Sequence, residues 1–342
     1  MTTPESFRAD VETFVREWND PEPTLVVHTS GSTGAPQPLR VEKTRMAASA
    51  RMTCDFLGLR PGDSALLCMP LDFIAGKMVV VRALTRGLRL IAVPPSAHPL
   101  AGLDETPDFA AMVPSQVYET LRVPAEADRL RRIRQLIIGG GAVDEALQAK
   151  LAGFPHAVWS TYGMTETLSH VALRRLNGPD ASAWYSPFPG VSLDVNADGC
   201  LVIDAPAVHA GRLVTRDIAE LREDGRFRIL GRRDNTICSG GVKIQLEDVE
   251  ARLRPSLHVP FVATAVGDAK YGEALTLLVQ SPAPPVDELQ RLCAASLPPY
   301  HRPKHYLQVN QLPTTGSGKP ARKTARQLAE QLLKTAEKSS LT

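Results

Sequence analysis

Four dispersed segments carry side chains suited to phosphate and carboxylate chemistry. The first, Thr29, Ser30, Gly31, Ser32, Thr33, Gly34, interleaves hydroxyls with glycines soon after the apolar run Leu25, Val26, Val27. Glycines let a backbone curl until several N–H groups point inward, and hydroxyls add donors, as a polyphosphate cradle requires. The same composition also describes a flexible linker, but the apolar run before it favours the cradle. In the second, Tyr162, Gly163, Met164, Thr165, Glu166, Thr167, an aromatic ring is able to stack on a purine. A threonine there can bond a phosphate or carboxylate, and a glutamate can hold Mg²⁺ directly or through water. An ordinary turn with a capping threonine and a solvated glutamate is the alternative. The third joins Gly231, Arg232, Arg233, Asp234, Asn235 to Ser239, Gly240, Gly241, Val242, Lys243, Ile244. A linker followed by a hairpin explains its glycines but not the pairing of Arg232 with Asp234. The fourth presents Lys319 between Gly318 and Pro320. It is not a Walker loop, because Pro313 and Pro320 stand where that pattern needs Gly and Ser or Thr. A lone loop lysine is ordinarily solvated. No GxSxG, HExxH or GxGxxG occurs, so serine hydrolase, zincin and simple dinucleotide readings lack their signatures.

The elements that must position these segments are legible in the hydropathy pattern. Between residues 25 and 159 short apolar runs alternate with helix-compatible stretches, as in an α/β domain with a largely parallel sheet. Strands are expected at 66–69, 90–93, 135–138 and 157–159, a helix at 77–88, and a helix capped by Asp144. Beyond Pro187 the texture becomes short strands and turns (191–195, 200–203, 227–230), an antiparallel region closing the large domain. A smaller α+β unit follows, with helices at 246–252 and 286–297, strands at 262–266 and 275–279, a surface loop at 281–285 and a basic helical tail from Ala321. The boundary falls within 231–235, which gives domains of 1–233 and 234–342.

The chain's 342 residues can bury a sizeable core, and 43% hydrophobic against 22% charged residues suits a globular fold. A net charge of +2 gives no electrostatic case for nucleic acid or an anionic membrane. Cys54, Cys68, Cys200, Cys238 and Cys293 contain no CxxC pair, so neither a disulfide framework nor a zinc site has its spacing, and a reducing cytoplasm fits best. The N-terminus lacks the basic and apolar regions of a secretory signal. The longest apolar region, 78–93, is interrupted by Arg82, Arg86 and Arg89, which rules out a membrane span.

In this order and over nearly the whole chain, the segments resemble the acyl-adenylate-forming superfamily of acyl-CoA synthetases, peptide-synthetase adenylation domains and luciferases. The resemblance implies that Thr29 to Gly34 wrap the triphosphate of ATP, that Gly139, Gly140, Gly141, Ala142 and Tyr162 form the adenine pocket, and that Gly163 is a further ATP-binding residue. Thr165 and Glu166 become the catalytic phosphate and Mg²⁺ contacts, and Asp217 and Arg232 the ribose pair. Asp234 becomes the hinge, Gly240 and Gly241 the lining for coenzyme A, and Lys319 the catalytic cation bridging carboxylate and α-phosphate. Typical members place the phosphate loop much deeper, so a leading subdomain is expected to be missing here, and Gln37 stands where a basic residue usually follows the loop.

The short o-succinylbenzoate:CoA ligases of menaquinone synthesis share this layout. Pro70 to Met78 and Leu168 to Arg175 are similar to theirs. That family implies a substrate with an aromatic ring, a ketone and a second carboxylate, for which Phe73, Lys77, Ser169 and His170 are the pocket candidates. Lys77 could equally be solvated and His170 a hydrogen-bonded core residue. Ligation of another aryl or short-chain acid, loading of a carrier protein, and a degenerate nucleotide-binding scaffold are the alternatives. A homodimer is expected if the missing subdomain leaves apolar surface for a second copy to cover.

Overall fold

The computed structural model describes residues 3–28, 38–315 and 320–339. Helix α1 (Pro4–Asn19) begins where Thr3 accepts a hydrogen bond from the Ser6 amide, and it buries Phe7, Val11 and Phe14 along one stripe. Strands β1 (Thr24–His28) and β2 (Pro38–Glu42) pair antiparallel as a separate two-stranded sheet. The expectation that the run at residue 25 belongs to the parallel sheet is corrected here. Its register partners lie ten to eighteen positions on, so antiparallel pairing closes locally, whereas a parallel partner needs a connection of about a dozen residues or more.

The main sheet follows. After α2 (Lys43–Leu57) come β3 (Ser64–Leu67), α3 (Ile74–Arg86), β4 (Arg89–Ala92), β5 (Phe109–Met112), α4 (Pro114–Thr120), α5 (Pro124–Arg132), β6 (Gln135–Ile138), α6 (Glu145–Leu151), β7 (Ala157–Gly163), β8 (His170–Arg175) and β9 (Ser186–Pro187). Seven strands run in the order β4-β3-β5-β6-β7-β8-β9, parallel from β4 to β7 and antiparallel beyond. Period-two alternation splits its faces: Ala65, Leu67, Phe109 and Ile137 join the core with α2 and α3, whereas Leu66, Ala110, Leu136 and Ile138 join the one with α4, α5 and α6. Because both faces are covered, ligands are left the carboxyl ends of the strands. Asp144 caps α6 as expected, accepting from the Leu147 amide at 2.8 Å.

Boundaries moved where periodicity is weakest. The strand expected at 66–69 lies at β3, two residues earlier, and the helix expected at 77–88 begins at Ile74 and ends at Arg86. Strand β7 continues through Gly163, so Tyr162 and Gly163 belong to the sheet, not to the loop after it.

Strands β10 (Ser192–Val195), β11 (Cys200–Asp204), β12 (Arg212–Leu221) and β13 (Phe227–Arg232) form an antiparallel meander. One turn of 3₁₀ helix, Arg233–Asn235, separates it from a third set of elements. These are β14 (Thr236–Ser239), β15 (Val242–Gln245), α7 (Leu246–Leu253), β16 (Phe261–Asp268), β17 (Gly272–Gln280), α8 (Val286–Ser296), β18 (His305–Val309) and α9 (Arg322–Ser339). Their five-stranded sheet shares no strand with the others. It packs α7 and α8 on one face and α9 on the other. No helix among the described residues is long and apolar enough to cross a membrane.

Candidate active site

The carboxyl ends of β6 and β7 lie side by side, and the predicted adenine residues are there. Gly139, Gly140, Gly141 and Ala142 follow β6, with the Gly139 amide bonded to Met112 O at 3.0 Å. Tyr162 and Gly163 end β7. At Gly163 a side chain would collide with the Ser169 carbonyl and the His170 backbone, so the strand and the returning β8 can touch only through glycine. The Tyr162 ring is buried against Phe227 and Tyr185, at centroid distances of 5.0 and 5.9 Å. Its hydroxyl donates to Asp217 Oδ2 at 2.8 Å, and burial first, then that carboxylate, pushes the phenol well above its usual range. In this arrangement Tyr162 anchors the β12 strand more than it offers a stacking face.

Asp217 and Arg232, the predicted ribose pair, are register partners on β12 and β13, joined at 3.3 Å. Asp234 accepts from Arg216 at 3.0 Å and Arg232 at 3.3 Å, beside a crevice of about 560 Å³ lined also by Thr215, Arg233 and Asp198. Gly240 and Gly241 form the two-residue turn of the β14–β15 hairpin with φ of +59° and +81°, a geometry glycine adopts without strain.

The segment after β7 is the most constrained. Thr165–Thr167 is a single 3₁₀ turn, within which the Thr167 hydroxyl accepts from the Met164 amide at 3.0 Å and donates to the Ser169 carbonyl at 2.7 Å. Thr165 is buried, and the exposed Glu166 points away from the core while its carbonyl accepts from His209 Nδ1 at 3.1 Å. Leu168, buried, has φ +65° and ψ −31°, a conformation strained for a branched residue.

That kink delivers Ser169 and His170 to a partner the sequence did not announce. The Arg82 guanidinium donates to Ser169 Oγ at 2.6 Å, Ser169 bonds His170 Nδ1 at 3.2 Å, and His170 Nε2 bonds Thr53 Oγ1 at 3.0 Å. Thr53 donates onward to Ser49 O at 3.2 Å, which leaves its oxygen to accept from Nε2–H and makes His170 the neutral Nε2–H tautomer. Burial, then the Arg82 charge, holds His170 well below the usual imidazole range. Arg82 is 2% exposed, its Nε has no hydrogen-bond partner, and no carboxylate pairs with it among the described residues. Burial lowers its pKa to about 10. The available signal was an arginine inside the run Met78, Val79, Val80, Val81, Ala83, all buried on α3. Lys77 instead lays its ammonium 4.7 Å over the Phe14 ring, so the cation beside His170 is Arg82. Phe73, half-buried at the start of α3, bridges His28.

Thr29, Ser30, Gly31, Ser32, Thr33, Gly34, Gln37 and Lys319 lie outside the described residues. The ends of both segments are held: His28 pairs Pro38, and Thr314 pairs Pro320. Arg322, three residues after Lys319, makes a two-pronged bond to the buried Glu250 at 2.8 and 2.9 Å. No cluster of three or more metal-ligating side chains occurs among the described residues. Glu166 is a single exposed carboxylate, and a hard cation there would need further oxygen ligands such as phosphates or water.

A family model described as AMP-binding enzyme matches residues 2–217. A 2-succinylbenzoate–CoA ligase from Bacillus mycoides (strain KBAB4) is 26% identical, over 94% of this chain and 73% of that protein. Among solved structures, the acyl-CoA synthetase (AMP-forming)/AMP-acid ligase II-like protein from Dyadobacter fermentans DSM 18053 is 35% identical with a TM-score of 0.65, covering 95% of each chain. The o-succinylbenzoate coenzyme A synthetase from Bacillus subtilis, in complex with ATP and magnesium ion, shares the fold with a TM-score of 0.74 at 21% identity, covering 88% of this chain and 69% of that one.

Proposed function

Because the chain belongs to the AMP-binding enzyme family, we propose that it is an ATP-dependent acid:CoA ligase whose acid is o-succinylbenzoate, on the route to menaquinone. The observation that carries the choice of acid is Arg82: a buried guanidinium without a carboxylate among the described residues, tied through Ser169 to the segment bearing Thr165 and Glu166. A buried charge left unpaired is costly, and a substrate's second carboxylate would complete it with a two-pronged ion pair. The 2-succinylbenzoate–CoA ligases among the relatives support the same acid.

A carboxylate is a poor acyl electrophile, since its charge is delocalised and its leaving group would be oxide. The first step therefore joins its oxygen to the α-phosphorus of ATP and expels pyrophosphate, giving an acyl-adenylate; the thiol of coenzyme A then attacks the acyl carbon and AMP leaves. In this reading Lys319 neutralises charge between carboxylate and α-phosphate, residues 29–34 receive the pyrophosphate, and Thr165 bonds the phosphate. Asp217 and Arg232 hold the ribose, and residues 139–142 border the adenine. Mg²⁺, held by Glu166 and the phosphates, would supply further charge neutralisation. Residues 234–342 form a mobile unit that turns about Asp234, bringing Gly240 and Gly241 past the thiol. The paired arginines on Asp234 support that placement of the hinge. A cytoplasmic location and a homodimer belong to the same proposal, and a monodisperse monomer in light scattering would remove the dimer.

Pyrophosphate release with a panel of acids, with and without coenzyme A, followed by product mass, tests the reading. o-Succinylbenzoate should support release and give its CoA thioester. Turnover only with monocarboxylic acids would overturn the choice of substrate.

A further inference from the structure

A side-chain amide joins the two stretches of chain that flank Asp234. Gln245 is the last residue of β15, and its Nε2 donates at 2.9 Å to the carbonyl of Arg232, the last residue of β13. The same nitrogen donates to Glu247, and the Gln245 Oε1 accepts from the Thr236 hydroxyl. With a carbonyl and a carboxylate facing the nitrogen and a hydroxyl facing the oxygen, the amide has one orientation and both its hydrogens are used. Glu247 also accepts from Asn235 Nδ2, so the 3₁₀ turn is gripped on both sides. Gly231 lies buried against the amide, where a side chain would collide with the Gln245 Nε2. Gln245, Glu247, Asn235 and Thr236 are half-buried, whereas Arg216 and Arg233, which pair with Asp234 and Asp198 around the same turn, are exposed. Solvent and salt screen such surface ion pairs. The neutral amide escapes that screening.

Arg232 precedes Asp234 in the chain and Gln245 follows it. Any change in the backbone dihedrals of Asp234 therefore shifts the amide against the Arg232 carbonyl, while the bonds of Gln245 to Thr236 and Glu247 travel with it. We propose that Gln245 is a positioning residue that sets the balance between the two half-reactions: its bond to Arg232 favours the domain arrangement seen here, and turning about Asp234 breaks it. The inference rests on the two-step ligase reading and its hinge. One neutral hydrogen bond shifts such a balance about fivefold.

The test compares wild type with Gln245→Met, which keeps the side chain's bulk and removes the amide. Acid-dependent pyrophosphate release, and thioester formation from preformed o-succinylbenzoyl-adenylate, are timed separately in single turnovers. The ratio of the two rates should change about fivefold, because one arrangement gains population at the other's expense. An unchanged ratio, or equal loss of both rates, would overturn the assignment, since a merely structural side chain acts on both alike. A second readout needs no chemistry from the protein. Trypsin cuts after arginine, and the carbonyl that Gln245 holds belongs to the bond after Arg232. Cleavage there, read from fragment masses, should be about fivefold faster in the variant, with cleavage elsewhere unchanged. Should wild type form no adenylate, the ligase reading fails by itself and the trypsin rate decides the latch: faster cleavage after Arg232 sustains it, and equal cleavage ends it.

Discussion

Replacing Arg82 with methionine separates stability from function. Burial lowers the guanidinium pKa from 12.5 to about 10. At about 1.4 kcal/mol per pH unit this is about 3 kcal/mol against the folded state. The sign follows from a cation whose pKa is depressed on folding: the penalty is complete below about pH 10 and relieved only as pH rises towards 12.5. Methionine removes it at neutral pH and fills similar volume. Losing the 2.6 Å bond to Ser169 costs about 1.5–3 kcal/mol in return. The variant should therefore melt within a few degrees of wild type, at or above it. Activity should collapse, because a buried carboxylate deprived of its partner loses about 3–5 kcal/mol, or about 10²- to 10⁴-fold in kcat/KM. The assays are thermal unfolding without ligand and pyrophosphate release with o-succinylbenzoate. An analogue lacking the second carboxylate closes a double-mutant cycle, since wild type and variant should use it about equally. A variant several kcal/mol less stable that keeps its kcat/KM would show that Arg82 is structural, and the argument for the acid would go with it.

Leu168 inverts a familiar ranking: with φ +65°, Leu168→Gly should be at least as stable as Leu168→Ala, by about 1 kcal/mol, and melts in which alanine is clearly better would remove the strain. Acid should weaken the fold through His170, whose imidazole is held well below its usual range. The unfolded chain takes up a proton below about pH 6.5 that the native site refuses. Stability should fall as pH drops through that value, and His170→Gln should flatten the slope; an unchanged slope would exclude the residue. Arg322→Ala strands Glu250, which is 4% exposed, and should cost about 3–5 kcal/mol in denaturant unfolding. The Glu250→Ala/Arg322→Ala pair should cost less than the sum of the single changes. Lys319→Ala should lose acid-dependent ATP–pyrophosphate exchange, and normal exchange would refute its role.

Much of the site could be read from the chain because its parts are local. A two-glycine turn needs left-handed φ at Gly240 and Gly241, a helix start needs an acceptor such as Asp144, and a continuous apolar run suits a strand buried on both faces, with Leu66 and Leu67 on opposite sides. Each of these depends on a few neighbouring residues, so type and spacing decide it. What only the tertiary structure decided are the partnerships across distance: Tyr162 with Asp217 instead of a free stacking face, Arg322 on Glu250, and Arg82 sealed under Ser169 and His170 while Lys77 turns to Phe14. The hairpin of β1 and β2, apart from the main sheet, belongs with them. A charge's meaning depends on its burial and its partner, and both are set by which faces the whole chain brings together, a quantity that no local pattern carries.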